Sequence, residues 1–106
     1  SRQEVAEKTL KVLKRCVPAA VPGIAFLSGG QSSEDATAHL HYMNAAGPLP
    51  WKLTYSYGRA LQADALKAWS GKADNVAAAR KAFAHRAKMN ALAASGKWTQ
   101  DGEKAA

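Results

Sequence analysis

The chain has 106 residues, 47% hydrophobic and 22% charged, a globular balance that excludes general intrinsic disorder. Fifteen Lys and Arg against eight Asp and Glu give a net charge of +7, which attracts anions: nucleic acid, acidic membrane or phosphorylated small molecules. A complete (β/α)8 barrel, which needs about 250 residues, cannot fit within this length.

The single cysteine, Cys16, excludes an internal disulfide and a Cys-rich metal site, and suits a reducing compartment. No apolar run reaches the roughly 18 residues of a membrane span, so none is expected. The charged, amphipathic residues 1–10 do not read as a signal peptide.

The first predicted element is an amphipathic helix over residues 1–17. Val5, Thr9, Val12, Leu13 and Cys16 recur at the spacing of one helical face, which places Cys16 as a buried, inert thiol. Ser1 and Glu4 have capping-box spacing, and Pro18 follows the basic last turn Lys14-Arg15. Residues 23–28, Gly-Ile-Ala-Phe-Leu-Ser, are apolar without alternation, the pattern of a strand buried on both faces of a parallel sheet. Gly29-Gly30 ends it. Ser32 or Ser33 then caps a second helix, with Glu34 and Asp35 in its first turn and Ala36, Leu40 and Met43 on its buried side.

Residues 51–57, Trp-Lys-Leu-Thr-Tyr-Ser-Tyr, read as a second strand, broken by Gly58. Arg59 opens a third helix carrying Leu61, Ala65 and Trp69. After a turn at Ser70-Gly71-Lys72, Asp74 caps a last helix over about 75–94. Its predicted packed side is Val76, Ala79, Phe83, Ala87 and Asn90-Ala91, and Gly96 suits its C-terminal end. The polar residues 99–106 read as a mobile tail.

The order is helix, strand, helix, strand, helix, helix: an α/β chain with one parallel βαβ unit. Two parallel strands leave two open edges, whereas parallel sheets are normally larger and buried. The chain is therefore expected to be part of a larger α/β structure, completed by further chain or by partner subunits.

Both strands end alike, the first in Ser28-Gly29-Gly30, the second in Ser56-Tyr57-Gly58-Arg59. In a parallel sheet both ends lie at the carboxyl edge, where α/β proteins place their sites. Glycines there let backbone N–H groups approach an oxyanion, and a following helix N-terminus favours it. Arg59 adds a permanently charged fork for phosphate oxygens. The expected site is a phosphate grip made of Ser28, Gly29, Gly30, Ser56, Gly58 and Arg59.

These residues carry a resemblance. Val21-Pro22-Gly23-Ile24-Ala25-Phe26-Leu27-Ser28-Gly29-Gly30-Gln31-Ser32 resembles the strand-seven segment of class I fructose-bisphosphate aldolase. Leu53-Thr54-Tyr55-Ser56-Tyr57-Gly58-Arg59-Ala60-Leu61-Gln62-Ala63 resembles its strand-eight segment. Trp51, Leu66-Lys67-Ala68-Trp69 and the stretch from Arg86 through Asn90 to Gly96-Lys97 match as well, so the likeness covers nearly all of residues 1–98.

The resemblance implies the C-terminal part of a (β/α)8 TIM barrel over residues 1–98, here its last two strands and flanking helices. It implies a lyase that reversibly cleaves fructose 1,6-bisphosphate to dihydroxyacetone phosphate and glyceraldehyde 3-phosphate, with no metal or cofactor, through a lysine Schiff base. The same six residues would hold one substrate phosphate. The Schiff-base lysine would lie on a strand before residue 1, so no catalytic residue is assigned in this chain, which alone is predicted inactive. A cytoplasmic homotetramer is implied for the intact protein, with the remainder of the barrel as this segment's partner.

Other candidates read more plainly. His39 and His41, two apart on a helix, point about 200° apart and cannot share a metal. With His85 they read as surface residues, and no metal site is expected. Lys52 does not match the Schiff-base position and reads as a strand-end charge. Trp51, Trp69 and Trp98 read as packing residues. Lys8, Lys11, Lys14 and Arg15, and Arg80, Lys81, His85, Arg86 and Lys88, form basic flanks. The alternative function built on them is a small, basic, helix-rich nucleic-acid-binding module, although no recognisable nucleic-acid motif is present.

Overall fold

A computed structural model of the chain describes residues 1–105. Helix α1 (Arg2–Cys16) starts where the Ser1 hydroxyl accepts from the Glu4 amide at 3.2 Å, and ends as Val17 turns extended ahead of Pro18. Strand β1 (Gly23–Phe26), helix α2 (Ser33–Ala45), strand β2 (Lys52–Tyr55) and helix α3 (Arg59–Trp69) follow. A 3-10 turn (Ala73–Asn75), helix α4 (Val76–Ala94) and helix α5 (Gln100–Lys104) complete the chain. Asp74 thus lies inside the 3-10 turn, and Asn75 precedes α4 without a side-chain cap.

The strands are parallel, in register from Gly23 opposite Lys52 to Phe26 opposite Tyr55, with α2 as the crossover. One face of the sheet is covered. Leu53 is buried there, and Ile24 and Phe26 pack against a core that includes Leu10, Leu40, Met43, Trp51 and Trp98. The other face carries Gly23, Ala25, Lys52 and Thr54 and is exposed. β1 is therefore not buried on both faces within the described residues: successive side chains alternate across a strand, and the helices lie on one side only. Beside the strands are two cavities. One of about 380 Å³ is lined by Asn44, Trp51, Leu53 and Thr54, and one of about 310 Å³ by Val5, Phe26, His39 and Tyr57.

α2 buries Ala36, Leu40 and Met43 as expected, whereas the faces of α1 and α4 differ from the predicted stripes. α1 buries Ala6 and Leu10, with Leu13 and Val17 against the core. That line also has helical spacing, but it lies one residue round from the predicted one. Val5 and Val12 are exposed, and so is Cys16, which is not the buried thiol expected. α4 buries Arg86, Met89, Asn90 and Ala93, while Phe83 stands 42% exposed.

Arg86, expected on a solvated basic flank, is 4% exposed and forms a bidentate pair with Glu103, 2.8 Å at each contact. Residues 99–105 are not a loose tail. The Thr99 hydroxyl accepts from the Gly102 amide at 2.9 Å, and α5 docks Glu103 beneath Arg86 and the Trp98 indole. Ala106 lies outside the described residues. His85 is likewise no free surface residue, since its Nε2 sits 2.9 Å from the Glu103 carbonyl.

Candidate functional site

The loop after β1 is a tight turn. The Gln31 amide donates to the Ser28 carbonyl at 2.9 Å, and both central residues, Gly29 (φ 46°) and Gly30 (φ 79°), are left-handed. Two positive φ angles in a four-residue turn are the mark of type I′, a conformation that side-chain-bearing residues adopt only with strain. A Cβ on either glycine would meet nothing within 4 Å, so backbone angle, not crowding, requires them. The Gln31 side chain reinforces the turn, its Nε2 donating to the same Ser28 carbonyl at 2.6 Å.

α2 follows directly. The Ser32 hydroxyl accepts from the Asp35 amide at 3.1 Å, which makes Ser32, of the two serines offered, the cap. Glu34 and Asp35 in its first turn are engaged by Arg2 of α1, at 3.2 and 2.9 Å. Hydrogen bonds from Arg2, then from Ser32, hold the Asp35 carboxyl below its ordinary pKa.

The loop after β2 is tied to the first. The Ser56 amide donates to the Phe26 carbonyl at 2.8 Å and carries the ladder one residue past the strand ends. The two loops therefore leave the sheet side by side. Tyr57 is buried and its phenol donates to the Ala36 carbonyl at 2.8 Å, which pins the second loop onto α2. Burial pushes that phenol up to about 12, so it stays a neutral donor.

Gly58 then caps α3 with φ −89°, and a Cβ there would meet nothing within 4 Å. Neither φ nor packing inside this chain calls for glycine at this position. Arg59 is the first residue of α3 and is exposed. Among the described residues it has no hydrogen-bond or ion-pair partner, and no acidic side chain occupies that helix's first turn. Arg2 and Arg86, by contrast, are both matched to carboxylates.

Five of the six sequence-nominated residues thus lie in two adjacent loops on one sheet edge, and Arg59 opens the helix that follows the second. Ser28 differs from the others in being buried, at 8% exposure. Sequence reasoning gave no role to Gln31 or Tyr57, which shape and anchor the loops. A polar residue directly after Gly29-Gly30 and an aromatic between Ser56 and Gly58 were the available signals. No three His, Cys, Asp or Glu side chains among the described residues gather to hold a metal ion. His41 packs against Tyr42 and Trp98 at ring separations of 5.1 and 5.4 Å, and burial lowers its pKa.

The two kinds of glycine should separate experimentally. Gly30→Ala is expected to destabilise the chain by about 1–2 kcal/mol, the cost of a left-handed residue bearing a Cβ. Gly58→Ala should cost less than about 0.5 kcal/mol in the same urea titration. Equal losses at both positions would contradict the distinction.

Comparison with known proteins places this geometry. The family model for class-I fructose-bisphosphate aldolase, a glycolytic family, matches residues 1–106. The chain is 57% identical over 102 residues to fructose-bisphosphate aldolase B of Gallus gallus, covering 95% of this chain and 28% of that protein. Against aldolase C of Rattus norvegicus it is 54% identical over 104 residues, with 97% and 29% covered. It also superposes on fructose-bisphosphate aldolase from Plasmodium falciparum, crystallised in complex with TRAP and a small-molecule inhibitor. There the TM-score is 0.88 at 52% identity, over 93% of this chain and 28% of that one.

The chain therefore spans somewhat over a quarter of the length of these relatives, and its two parallel strands are part of a (β/α)8 barrel. The nucleic-acid-binding alternative is not supported: the family model and the relatives described above are aldolases, and Arg86 is withdrawn from the basic flank that suggested it. With the whole chain matched by the family and its fold shared, the chain belongs to the class-I fructose-bisphosphate aldolases.

Proposed function

We propose that this chain is the phosphate-gripping part of an enzyme that reversibly cleaves fructose 1,6-bisphosphate to dihydroxyacetone phosphate and glyceraldehyde 3-phosphate. The observation that carries the reading is the pairing of the two loops through the Ser56–Phe26 bond, with Arg59 beside them and unengaged. One substrate phosphate accepts from the amides of Gly29, Gly30 and Gly58, from the hydroxyls of Ser28 and Ser56, and from the Arg59 fork. Loops after the seventh and eighth strands are where such barrels commonly bind phosphate.

The grip orients the substrate carbonyl toward a lysine supplied from outside these 106 residues. That amine adds to the carbonyl and water leaves, forming a protonated imine. A base, also supplied from outside these residues, takes the proton of the β-hydroxyl, and the bond between the α and β carbons breaks, its electrons passing into the imine to give an enamine as the aldehyde departs. Protonation and hydrolysis release the second triose phosphate. The remainder of the barrel is the partner this segment needs, in a cytoplasmic homotetramer. No helix among the described residues is long and apolar enough to cross a membrane.

Borohydride reduction during turnover of the complete protein tests the division of labour. The trapped adduct is expected on a lysine outside residues 1–106, and the isolated chain should neither cleave the sugar nor be labelled. An adduct on Lys52 or any other lysine of this chain would overturn the reading.

A further inference from the structure

We propose that His39 and Gln31 form a positioning relay that fixes the Ser28–Gln31 turn and so tunes affinity for the substrate phosphate. This rests on the phosphate reading above and adds to it a residue from the side of α2.

The Ser28 carbonyl receives two donors from one residue, the Gln31 amide at 2.9 Å and its Nε2 at 2.6 Å. A carbonyl only accepts, so the Gln31 atom facing it is the NH2 end. Oε1 is thereby turned toward His39, whose Nδ1 lies 2.6 Å away. Oε1 also only accepts, so Nδ1 must carry a proton. The alternative tautomer would set lone pair against lone pair. Flipping the Gln31 amide would set Oε1 against the Ser28 carbonyl. The tautomer of a ring on α2 is thus dictated by a carbonyl in the phosphate loop.

The support is firm where the loop is not. His39 stands in the second turn of a helix capped by Ser32, paired through Asp35 and Glu34 to Arg2, and seated on the core by Ala36 and Leu40. The turn it steadies runs through two consecutive glycines, which have the widest choice of backbone angles of any residue. Restricting that choice before ligand arrives lowers the ordering cost of binding. Burial depresses the His39 pKa, the neighbouring Asp35 charge opposing it, so the ring tends to the neutral state with its single N–H on Nδ1.

The test is made in the complete aldolase carrying this segment, with fructose 1,6-bisphosphate as the probe. His39→Leu should raise KM about three- to tenfold, the worth of one net hydrogen bond, with kcat within about twofold. In His39→Asn the amide nitrogen occupies the place of Nδ1, so KM should return to within about twofold of the parent. Imidazole nitrogen-15 spectra should show the His39 proton on Nδ1. A proton on Nε2, an unmoved KM in His39→Leu, or an Asn variant as impaired as the Leu variant would each overturn the relay. Arg59→Ala run alongside separates the two ideas. If its KM rises while that of His39→Leu does not, only the relay fails. If its KM does not move, the phosphate reading fails.

Discussion

Arg59→Ala is expected to raise KM for fructose 1,6-bisphosphate by about 10- to 100-fold in the complete protein. Hydrogen bonds to a charged group are worth about 1.5–3 kcal/mol, and each 1.4 kcal/mol is a factor of ten. Arg59 can deliver that to a ligand because nothing in the described chain competes for it. It is exposed, heads α3 where no acidic side chain is present, and follows a glycine that leaves the space in front of the helix open. For the same reason the substitution should leave stability within about 0.5 kcal/mol. Arg59→Lys keeps the charge but loses the planar fork, so its KM should fall between the two. Raising ionic strength should weaken the parent more than Arg59→Ala, since the screened attraction is the one removed. An Arg59→Ala protein with parental KM would detach this residue from the substrate.

Much of this arrangement can be read directly from the residues. The strands stand out because Gly and Pro bound two runs of β-forming side chains, and α2 because Ser32, Glu34 and Asp35 label its start. The two loops follow from where those strands end. What the sequence conceals is polar burial. Arg86 and Asn90 share the inward face of α4 with Met89 and Ala93; Asn90 stands on the predicted packed side, but the charge of Arg86 reads as a solvated flank. Phe83 lies on the same line as Asn90, two turns earlier, yet stands exposed, because the buried residues of α4 all fall from Arg86 onward, a limit that periodicity does not mark.

Glu103 is hidden in the same way, as its partner lies 17 residues earlier and its helix has too few residues to show a period. In α1, two apolar lines one residue apart fit the spacing equally well, and only contact with the core chooses between them. The link from Gln31 to His39 is invisible for a further reason: it joins a loop to a helix face eight residues on, and only the geometry of the Ser28 turn brings them within 2.6 Å.

Arg86→Met is expected to destabilise the chain by about 3–5 kcal/mol, because it strands a buried carboxylate. Arg86 and Glu103 have side chains only 5% exposed, joined by two 2.8 Å bonds. Arg86 also donates to the Thr37 hydroxyl at 3.0 Å, and Trp98 Nε1 donates to Glu103 at 3.1 Å. Burial alone would raise the Glu103 pKa. The Arg86 hydrogen bonds and charge, helped by Trp98 and His85, outweigh it and leave the carboxyl below its ordinary value.

A folded pKa below the unfolded one stabilises the fold above the unfolded value, about 4.3, and the contribution fades as pH falls through the folded value. Urea midpoints of the parent should therefore drop on acidification below about pH 4.3, and the Glu103 part of that dependence should reverse in Arg86→Met, where burial without the guanidinium favours the protonated carboxyl and acid relieves the stranded charge. Arg86→Met with Glu103→Leu should recover much of the loss, since removing both charges leaves neither uncompensated. The effect should be felt first at α5. Five residues cannot sustain a helix in water by themselves, so the helix persists through what Glu103 and Trp98 hold onto. Hydrogen exchange at the Glu103 amide, bonded to the Thr99 carbonyl at 3.1 Å, should accelerate well before exchange in α4 does. Uniform acceleration across both helices would instead make the pair part of a single cooperative core, with α5 no more separable than α4.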